Sequence, residues 1–295
     1  MIEIKDLTKV LGQTKALDGF SAEIGPGING LVGRNGAGKS TLLRTIADVY
    51  KPTQGKVTID GLPADDVKAK AKLMFLPDEP YAPANAKMKD LISFYSCFYR
   101  IDENSFQAFT DKVGLPKDKP LKSFSKGMRR QAFLALALSV DVEYLLLDEA
   151  FDGIDPLALF KIKNLIISRY AGNGKTVLVA SHNMQTLESL CDTFVLIDKG
   201  HKFAQGSGEN LGKSFVKYQI APRLSLTKEA LLTKGMEIIS FRKSGSVYEI
   251  VAVQRDSNIA SLKSFEPLLL DTIPIDYSEL LTLEMSLAEE KGETR

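Results

Sequence analysis

Short apolar runs alternate along this chain with stretches in which apolar residues recur at helical spacing. Each run is four or five residues long and has the composition of a buried strand. Strands that are covered on both faces are continuously apolar, and helical connections between them make neighbouring strands parallel. The pattern therefore predicts an α/β fold with a mostly parallel sheet covered by helices. The five runs lie at 28–32, 72–76, 144–147, 176–180 and 194–197.

Two regions of the first two thirds of the chain depart from this pattern. Segments 1–24 and 56–59 predict a separate, more antiparallel edge. Three prolines between residues 77 and 83 interrupt the pattern, and an aromatic-rich helical stretch follows at 91–99. We therefore expect a helical insertion at about 78–140.

The last third of the chain has a different character. It begins after a Gly-Ser-Gly segment at 206–208, which marks a candidate domain boundary. We expect a domain of residues 1–208 and a small α+β extension of residues 209–295. In the extension, strands are predicted at 218–221, 237–241 and 247–253, and an amphipathic helix at 278–290.

Composition narrows the classes of protein that fit. Hydrophobic residues make up 44% of the 295 residues, which is typical of a globular protein with a core. The 38 basic and 37 acidic residues nearly cancel, so no nucleic-acid partner is expected. The two cysteines, Cys97 and Cys191, have no metal-ligand spacing and are predicted to be reduced, buried thiols of a cytosolic protein. No apolar run approaches the roughly 20 residues that cross a bilayer.

Residues 33–41, Gly-Arg-Asn-Gly-Ala-Gly-Lys-Ser-Thr, fit the pattern of a phosphate-binding loop. The loop lies between the predicted strand 28–32 and a predicted helix at 40–49, which is the setting that such a loop requires. Glycines let backbone N–H groups close around phosphate oxygens, and the helix N-terminus adds its positive dipole. Lys39 is expected to reach the β- and γ-phosphates, and Ser40 to ligate Mg²⁺. The predicted nucleotide-binding residues are Asn35, Gly36, Ala37, Gly38, Lys39, Ser40 and Thr41.

Polar residues follow two other predicted strands. Asp148 and Glu149 come after 144–147, and His182 comes shortly after 176–180. Ligands of open α/β sheets bind beyond the carboxyl ends of the strands, so these side chains are expected near the phosphate loop. We interpret Asp148 as a Mg²⁺ ligand, Glu149 as the acceptor of a proton from water, and His182 as a γ-phosphate contact. The alternatives are a solvated acidic loop and a structural histidine.

A further anion site is predicted at the start of a long helix that ends near residue 140. Ser125 is a candidate N-cap, and the N–H groups beyond it are free to bind a phosphate. A second such site is useful if it serves a nucleotide that another copy holds. The alternative is an ordinary capped helix.

Together these residues resemble the ATP-binding cassette (ABC) ATPases, the motor subunits of ABC transporters, over about residues 1–208. The resemblance implies a P-loop NTPase fold and the cofactors ATP and Mg²⁺. It implies that 33–41 is the Walker A motif, 145–148 the Walker B motif, Glu149 the catalytic glutamate and His182 the switch histidine. It places the signature at 125–128 and the D-loop at 153–155. Two cassettes of this family sandwich two ATP molecules, so Ser125 and Gly127 are expected to act on the partner's nucleotide.

Several positions differ from the family pattern. Lys126 and Met128 replace the second and fourth signature residues, whereas Gly127 is kept. Asp78 stands where the family has the Q-loop glutamine, and we expect it to be catalytic and to hold Mg²⁺ through water. Leu11 stands where an aromatic ring usually stacks on adenine, which weakens base stacking.

The Phe-Ser-Lys-Gly-Met signature, Asp78 and the C-terminal extension resemble the exporter branch that handles drugs, antimicrobial peptides or other hydrophobic solutes. The expected partners are a separate membrane permease and a second cassette, so that the chain is cytoplasmic and peripheral on the inner face of the cell membrane. The permease groove is expected at 78–81 with Phe94, Tyr95, Phe98 and Tyr99. The alternatives are a soluble ABC ATPase that acts on ribosomes or DNA, an importer motor, and a small-molecule kinase.

Overall fold

A six-stranded, mostly parallel sheet lies at the centre of the first of two compact units, Met1–Gln205 and Gly206–Arg295. The structure is a computed structural model that describes residues 1–83, 85–207, 215–273 and 279. The strand order is β10-β9-β3-β8-β7-β6, and the four pairs from β9 to β6 are parallel. The strands are β3 (Gly27–Val32), β6 (Leu73–Leu76), β7 (Tyr144–Asp148), β8 (Thr176–Ser181), β9 (Thr193–Asp198) and β10 (His201–Ser207).

A four-stranded antiparallel sheet stands beside the parallel one. Its strand order is β2-β1-β4-β5. Ile4 and Phe20 of this sheet share one buried cluster with Leu43 and with Leu178 of β8, so the two sheets have a common core. The strands are β1 (Ile2–Leu11), β2 (Thr14–Ile24), β4 (Gln54–Ile59) and β5 (Leu62–Pro63).

Seven helices belong to the described part of this unit. The two longest helices, α5 and α6, are preceded by capping residues. The Ser125 side chain accepts a hydrogen bond from the Met128 N–H, and the Asp155 side chain accepts one from the Ala158 N–H. A proline occupies the first helical position of α6. From Arg130 to Ser139, α5 is buried throughout. The helices are α1 (Lys39–Ile46), α2 (Val67–Ala71), α3 (Met88–Tyr95), α4 (Glu103–Val113), α5 (Lys126–Ser139), α6 (Pro156–Tyr170) and α7 (Met184–Glu188).

The predicted fold class is confirmed, because all five apolar runs form strands of the parallel sheet and segments 1–24 and 56–59 form the antiparallel one. The prediction of two buried thiols is wrong for Cys97, which is exposed just beyond the end of α3. Cys191 is partly buried, and this burial raises the pKa of its thiol to about 12.

In its described residues, the second unit has the element order βαββαβ. Its strand order is β12-β13-β11-β14 with all three neighbouring pairs antiparallel, which is the ferredoxin-like arrangement. Three of these strands were predicted, whereas β14 and both helices were not. The predicted helix at 278–290 lies outside the described residues except for Glu279, which pairs with Lys217 at 2.9 Å. The elements are β11 (Phe215–Pro222), α8 (Lys228–Thr233), β12 (Ile238–Ser244), β13 (Val247–Val253), α9 (Ser257–Lys263) and β14 (Pro267–Ile273).

Candidate active site

The loop between β3 and α1 has the tight backbone that its glycines predict. Gly38 is the residue before α1 and has φ 109°, a conformation that side chains rarely adopt. A Cβ atom on Gly33 would lie 2.3 Å from the Ile197 carbonyl oxygen, and one on Gly38 would lie 2.6 Å from that of Ala16. The loop therefore packs closely against β9 and β2. It places the N-terminus of α1 at the carboxyl end of β3.

Lys39, the first residue of α1, is 5% exposed and turns back over its own loop. Its Nζ donates to the carbonyl oxygens of Gly33 at 2.8 Å and Arg34 at 3.3 Å. The same ammonium lies 3.4 Å from Glu149 Oε1. A buried cation whose partners are carbonyls and one carboxylate is well placed to bind a phosphate, which offers it stronger acceptors.

Ser40 and Asp148 form the part of the site that fits Mg²⁺. The Ser40 hydroxyl donates to Asp148 Oδ1 at 3.0 Å, whereas Asp148 Oδ2 is buried without a hydrogen-bond partner among the described residues. Burial raises the pKa of Asp148 above its usual value, and the Ser40 hydrogen bond opposes that shift. An unpartnered buried carboxylate oxygen is costly in a dry interior, and hard divalent cations prefer oxygen ligands. The donor set therefore fits Mg²⁺, which would be held by Ser40 and Asp148.

Glu149 lies between Lys39 and His182. His182 Nδ1 is 2.9 Å from Glu149 Oε2, on the other side of the carboxylate from the lysine. The backbone of Glu149 is strained, with φ 47°, and its N–H donates to the Ala180 carbonyl of β8 at 2.9 Å. Strain of this kind persists where the surroundings over-determine a conformation, and it clusters at functional sites.

Six of the seven predicted loop residues line an open cleft of about 480 Å³, the size of a small-molecule site, whereas Ala37 is buried and does not line it. Glu149 also lines it, and the β1–β2 hairpin contributes Thr14, Lys15 and Ala16. No aromatic ring is among the described lining residues, and Leu11, at the end of β1, is 38% exposed. Among the described residues, the lining consists of Thr14, Lys15, Ala16, Asn35, Gly36, Gly38, Lys39, Ser40, Thr41, Glu149 and Lys199.

The start of α5 stands apart from this cleft. Ser125 is exposed, its hydroxyl caps the helix at 3.2 Å from the Met128 nitrogen, and neither it nor Gly127 lines the cleft. Gly127 packs so closely on the loop after β7 that a Cβ atom would lie 2.3 Å from the Gly153 carbonyl oxygen. Within one chain, the predicted signature and the phosphate loop are therefore not brought together.

Asp78 is not a free carboxylate. It forms an ion pair with Arg130 of α5, whose side chain is 7% exposed. Arg130 also binds Asp152, at 3.0 Å from Oδ2. The sequence reasoning missed Arg130, because only the packing of α5 against two loops shows its role. The charge of Asp78 still acts on the metal site, since it contributes to the raised pKa of Asp148.

Comparisons with known proteins agree with this geometry. A family model described as ABC transporter matches residues 17–152. The uncharacterized ABC transporter ATP-binding protein YdbJ of Bacillus subtilis is 30% identical over 230 residues, or 74% of each chain. ABC transporter ATP-binding protein YtrB of the same organism is 24% identical over 284 residues, which are 95% of this chain and 96% of YtrB. Nod factor export ATP-binding protein I of Rhizobium meliloti is 30% identical, over 70% of this chain and 64% of the relative.

A likeness to solved structures supports the same fold. The dimeric, post-hydrolysis cassette MJ0796 bound to ADP and Pi has a TM-score of 0.62 and 21% identity, and the match covers 70% of this chain and 98% of that one. The chain spans between 52% and 64% of the length of several curated relatives that it matches. None of the helices in the described ranges has the length and apolar character that crossing a membrane requires.

Proposed function

The chain belongs to the ATP-binding proteins of ABC transporters, whose cassette is an ATPase, and we propose that it hydrolyses ATP as the motor of an ABC exporter. The observation that carries this proposal is the contact of Lys39 and His182 with the two carboxylate oxygens of Glu149, with the Ser40–Asp148 pair as the candidate Mg²⁺ site. Three strands deliver these residues to the same edge of the parallel sheet, which is where such sheets bind ligands.

Each residue has a role that its contacts support. Lys39 binds the β- and γ-phosphates and exchanges its carbonyl partners for phosphate oxygens. Glu149 accepts the proton of the attacking water, and His182 holds the other carboxylate oxygen in place at 2.9 Å. Bound Mg²⁺ supplies charge stabilisation to the phosphates. The loop residues Asn35 to Thr41 surround the phosphates with backbone N–H groups.

A second cassette, of the same or a homologous chain, completes each site. Ser125 and Gly127 lie outside the cleft of their own chain, and Ser125 is exposed, which favours action on a nucleotide that the partner holds. ATP then joins Lys39 of one chain to the start of α5 of the other. Loss of the γ-phosphate removes that link, so the dimer opens. Because ATP and ADP differ in affinity for the closed dimer, hydrolysis shifts the conformational equilibrium of the cassettes and of the permease bound to them.

The permease is proposed to dock on the groove beside Asp78. The aromatic cluster there has Tyr81 and Phe98 exposed at 64% and 68%, and the Phe94 ring contacts both of them, with centroids 5.4 and 5.7 Å apart. A patch of large apolar side chains that are exposed to solvent and contact one another is typical of an interaction surface. A cavity of about 410 Å³ is lined by Asp78 and Phe133, and the Phe133 ring lies 6.5 Å from the ring of Tyr95.

Export of drugs, peptides or hydrophobic solutes is the direction we propose. The relative from Rhizobium meliloti is named as an export protein, and it covers 70% of this chain. The chain itself then lies in the cytoplasm, peripheral on the inner face of the membrane. An importer motor remains the alternative within the family, and a ribosome- or DNA-acting ATPase the alternative outside transport.

A pull-down of the tagged chain from its own cells in mild detergent tests the transporter role. We expect a polytopic membrane protein at stoichiometric yield, and we expect Phe98→Ser to reduce that yield. Val67→Ser is the matched control, because Val67 is 80% exposed on α2, away from the aromatic cluster. Recovery of ribosomal or DNA-bound proteins, with no membrane protein, would contradict the proposal.

A further inference from the structure

Arg130 is a buried cation with partners on two separate loops. It lies in the second turn of α5, and its side chain is 7% exposed. One terminal nitrogen binds Asp152 through both the backbone carbonyl and Oδ2, the latter at 3.0 Å. The other pairs with Asp78, which follows β6. Its two carboxylate partners are 45% and 46% exposed, whereas the guanidinium itself is buried. Loss of these partners would leave the buried cation uncompensated, so the contacts are expected to persist in the folded cassette.

Asp152 links Arg130 to Glu149. The Asp152 N–H donates to the Glu149 carbonyl at 3.3 Å and closes a turn between them. That turn carries the strained Glu149 backbone, with φ 47°. Lys126, one helical turn before Arg130, also binds Asp152 Oδ2 at 3.1 Å. Together Lys126 and Arg130 hold the pKa of Asp152 below its usual value.

A strained backbone keeps its conformation only where neighbouring groups hold it. On the β8 side, the Ala180 carbonyl accepts from the Glu149 N–H at 2.9 Å. On the other side, the turn ends at Asp152. The Arg130 guanidinium binds both the main-chain carbonyl oxygen and the side-chain carboxylate of Asp152. We infer that Arg130 is a positioning residue that holds the turn of Glu149, and thereby its carboxylate, in the orientation for hydrolysis and ties that orientation to Asp78.

This role presupposes the proposed hydrolysis at Glu149. Asp78 belongs to the groove proposed for the permease, and Arg130 is the side chain that joins Asp78 to the turn after Glu149. A displacement of Asp78 by a docked partner is therefore transmitted to Glu149 through one guanidinium group.

The geometry requires arginine. A guanidinium group presents five donors in a planar fork and can serve two carboxylates and a carbonyl simultaneously. A lysine at 130 keeps the charge but offers one point of attachment, so it is expected to hold either Asp78 or Asp152. Arg130→Lys thus separates the effect of the charge from the effect of the geometry.

The test compares steady-state ATP hydrolysis and ATP binding by the full chain and its variants. We expect Arg130→Met and Asp152→Asn each to lower kcat at least about tenfold while the KM for ATP stays within about threefold. Such a split indicates loss of an interaction made in the transition state only. Arg130→Lys should fall between wild type and Arg130→Met. Arg242→Met is the control, because Arg242 is an exposed arginine on β12 of the second unit, and its kcat should stay within about twofold.

A double variant identifies the path. If Arg130 acts through Asp152, the combined Arg130→Met and Asp152→Asn variant is expected to be little slower than either single variant. Should Arg130→Met fail to fold, Arg130→Lys and Asp152→Asn still decide the question. Unchanged kcat in both of these, or losses that multiply in the double variant, would overturn the role of Arg130. An inactive wild-type chain would instead overturn the proposed hydrolysis itself.

Discussion

Replacement of Gly127 by alanine should have two opposing effects on the stability of the cassette, a gain in helix propensity and a steric clash. Gly127 is the second residue of α5, and in a helix alanine is normally more stable than glycine by about 0.5–1 kcal/mol. On helix propensity alone, Gly127→Ala should stabilise the cassette. However, the new Cβ atom would lie 2.3 Å from the Gly153 carbonyl oxygen, whereas real Cβ atoms essentially never approach closer than 3.0 Å. The helix or the loop must therefore move by at least 0.7 Å, the difference between those distances.

The obstacle is a backbone atom, so no side-chain rotation can relieve it. Overpacking of this kind costs about 1–3 kcal/mol, and a backbone clash belongs at the upper end. After the helix gain is subtracted, the expected net loss is about 2 kcal/mol. For a unit of this size, each kcal/mol lowers the midpoint of thermal unfolding by about 2–4 °C, so Gly127→Ala should lower it by about 4–8 °C.

Differential scanning calorimetry of the apoprotein measures this effect. The matched control is Gly25→Ala, because a Cβ atom on Gly25 would meet nothing within 4 Å. That variant should leave the midpoint unchanged or raise it slightly, since alanine restricts the unfolded chain. A midpoint for Gly127→Ala that is equal to wild type or higher would refute the close packing of α5 on the Gly153 loop.

Three further substitutions test the nucleotide site. Lys39→Ala removes the buried ammonium, and calorimetric titration should show ATP affinity lower by about 10- to 150-fold, the equivalent of 1.5–3 kcal/mol for a charged hydrogen bond; unchanged affinity would contradict the phosphate-loop assignment. Burial raises the pKa of Asp148, so the folded apoprotein binds its proton more tightly than the unfolded chain does, and stability is lost as the pH rises above about 4. Asp148→Asn should remove that part of the pH dependence of the unfolding free energy, measured by chemical denaturation, and should abolish Mg²⁺-dependent hydrolysis. A dependence of stability on pH identical to that of the wild type would refute the raised pKa of Asp148. Leu11→Tyr should tighten ATP binding by about 5- to 150-fold if the base lies over the β1–β2 hairpin, because stacking on a ring contributes about 1–3 kcal/mol; equal affinity would place the base elsewhere.

Local patterns were sufficient to predict the sheet and the tight glycine loop that precedes α1. Buried parallel strands are continuously apolar, so runs such as 176–180 are recognisable without any tertiary information. The meeting of Lys39, Glu149 and His182 was also predictable, because the carboxyl ends of parallel strands share one edge. The chemistry assigned to each of these residues stays a prediction until hydrolysis is measured.

Features that depend on packing between distant segments were not predictable. Asp78 and Arg130 are 52 residues apart, and their ion pair exists because α5 runs beside the loop after β6. The strand β14 was missed because its residues are half-exposed or exposed and show no clean alternation; Leu268 is 70% exposed. Cys97 was misjudged because free cysteines are usually buried, whereas this one lies beyond the end of α3 on its exposed side.

The measurement that tests the account most directly is the behaviour of Glu149→Gln in ATP. Glutamine keeps the shape of the side chain but cannot accept the proton, so turnover should fall at least about 100-fold while ATP binding persists. With hydrolysis blocked, light scattering after size exclusion should show a dimer in ATP and Mg²⁺ and a monomer in ADP. Glu103→Gln, an exposed glutamate at the start of α4, is the control and should hydrolyse ATP as wild type does. Unchanged turnover in Glu149→Gln would contradict the proposed mechanism at its centre.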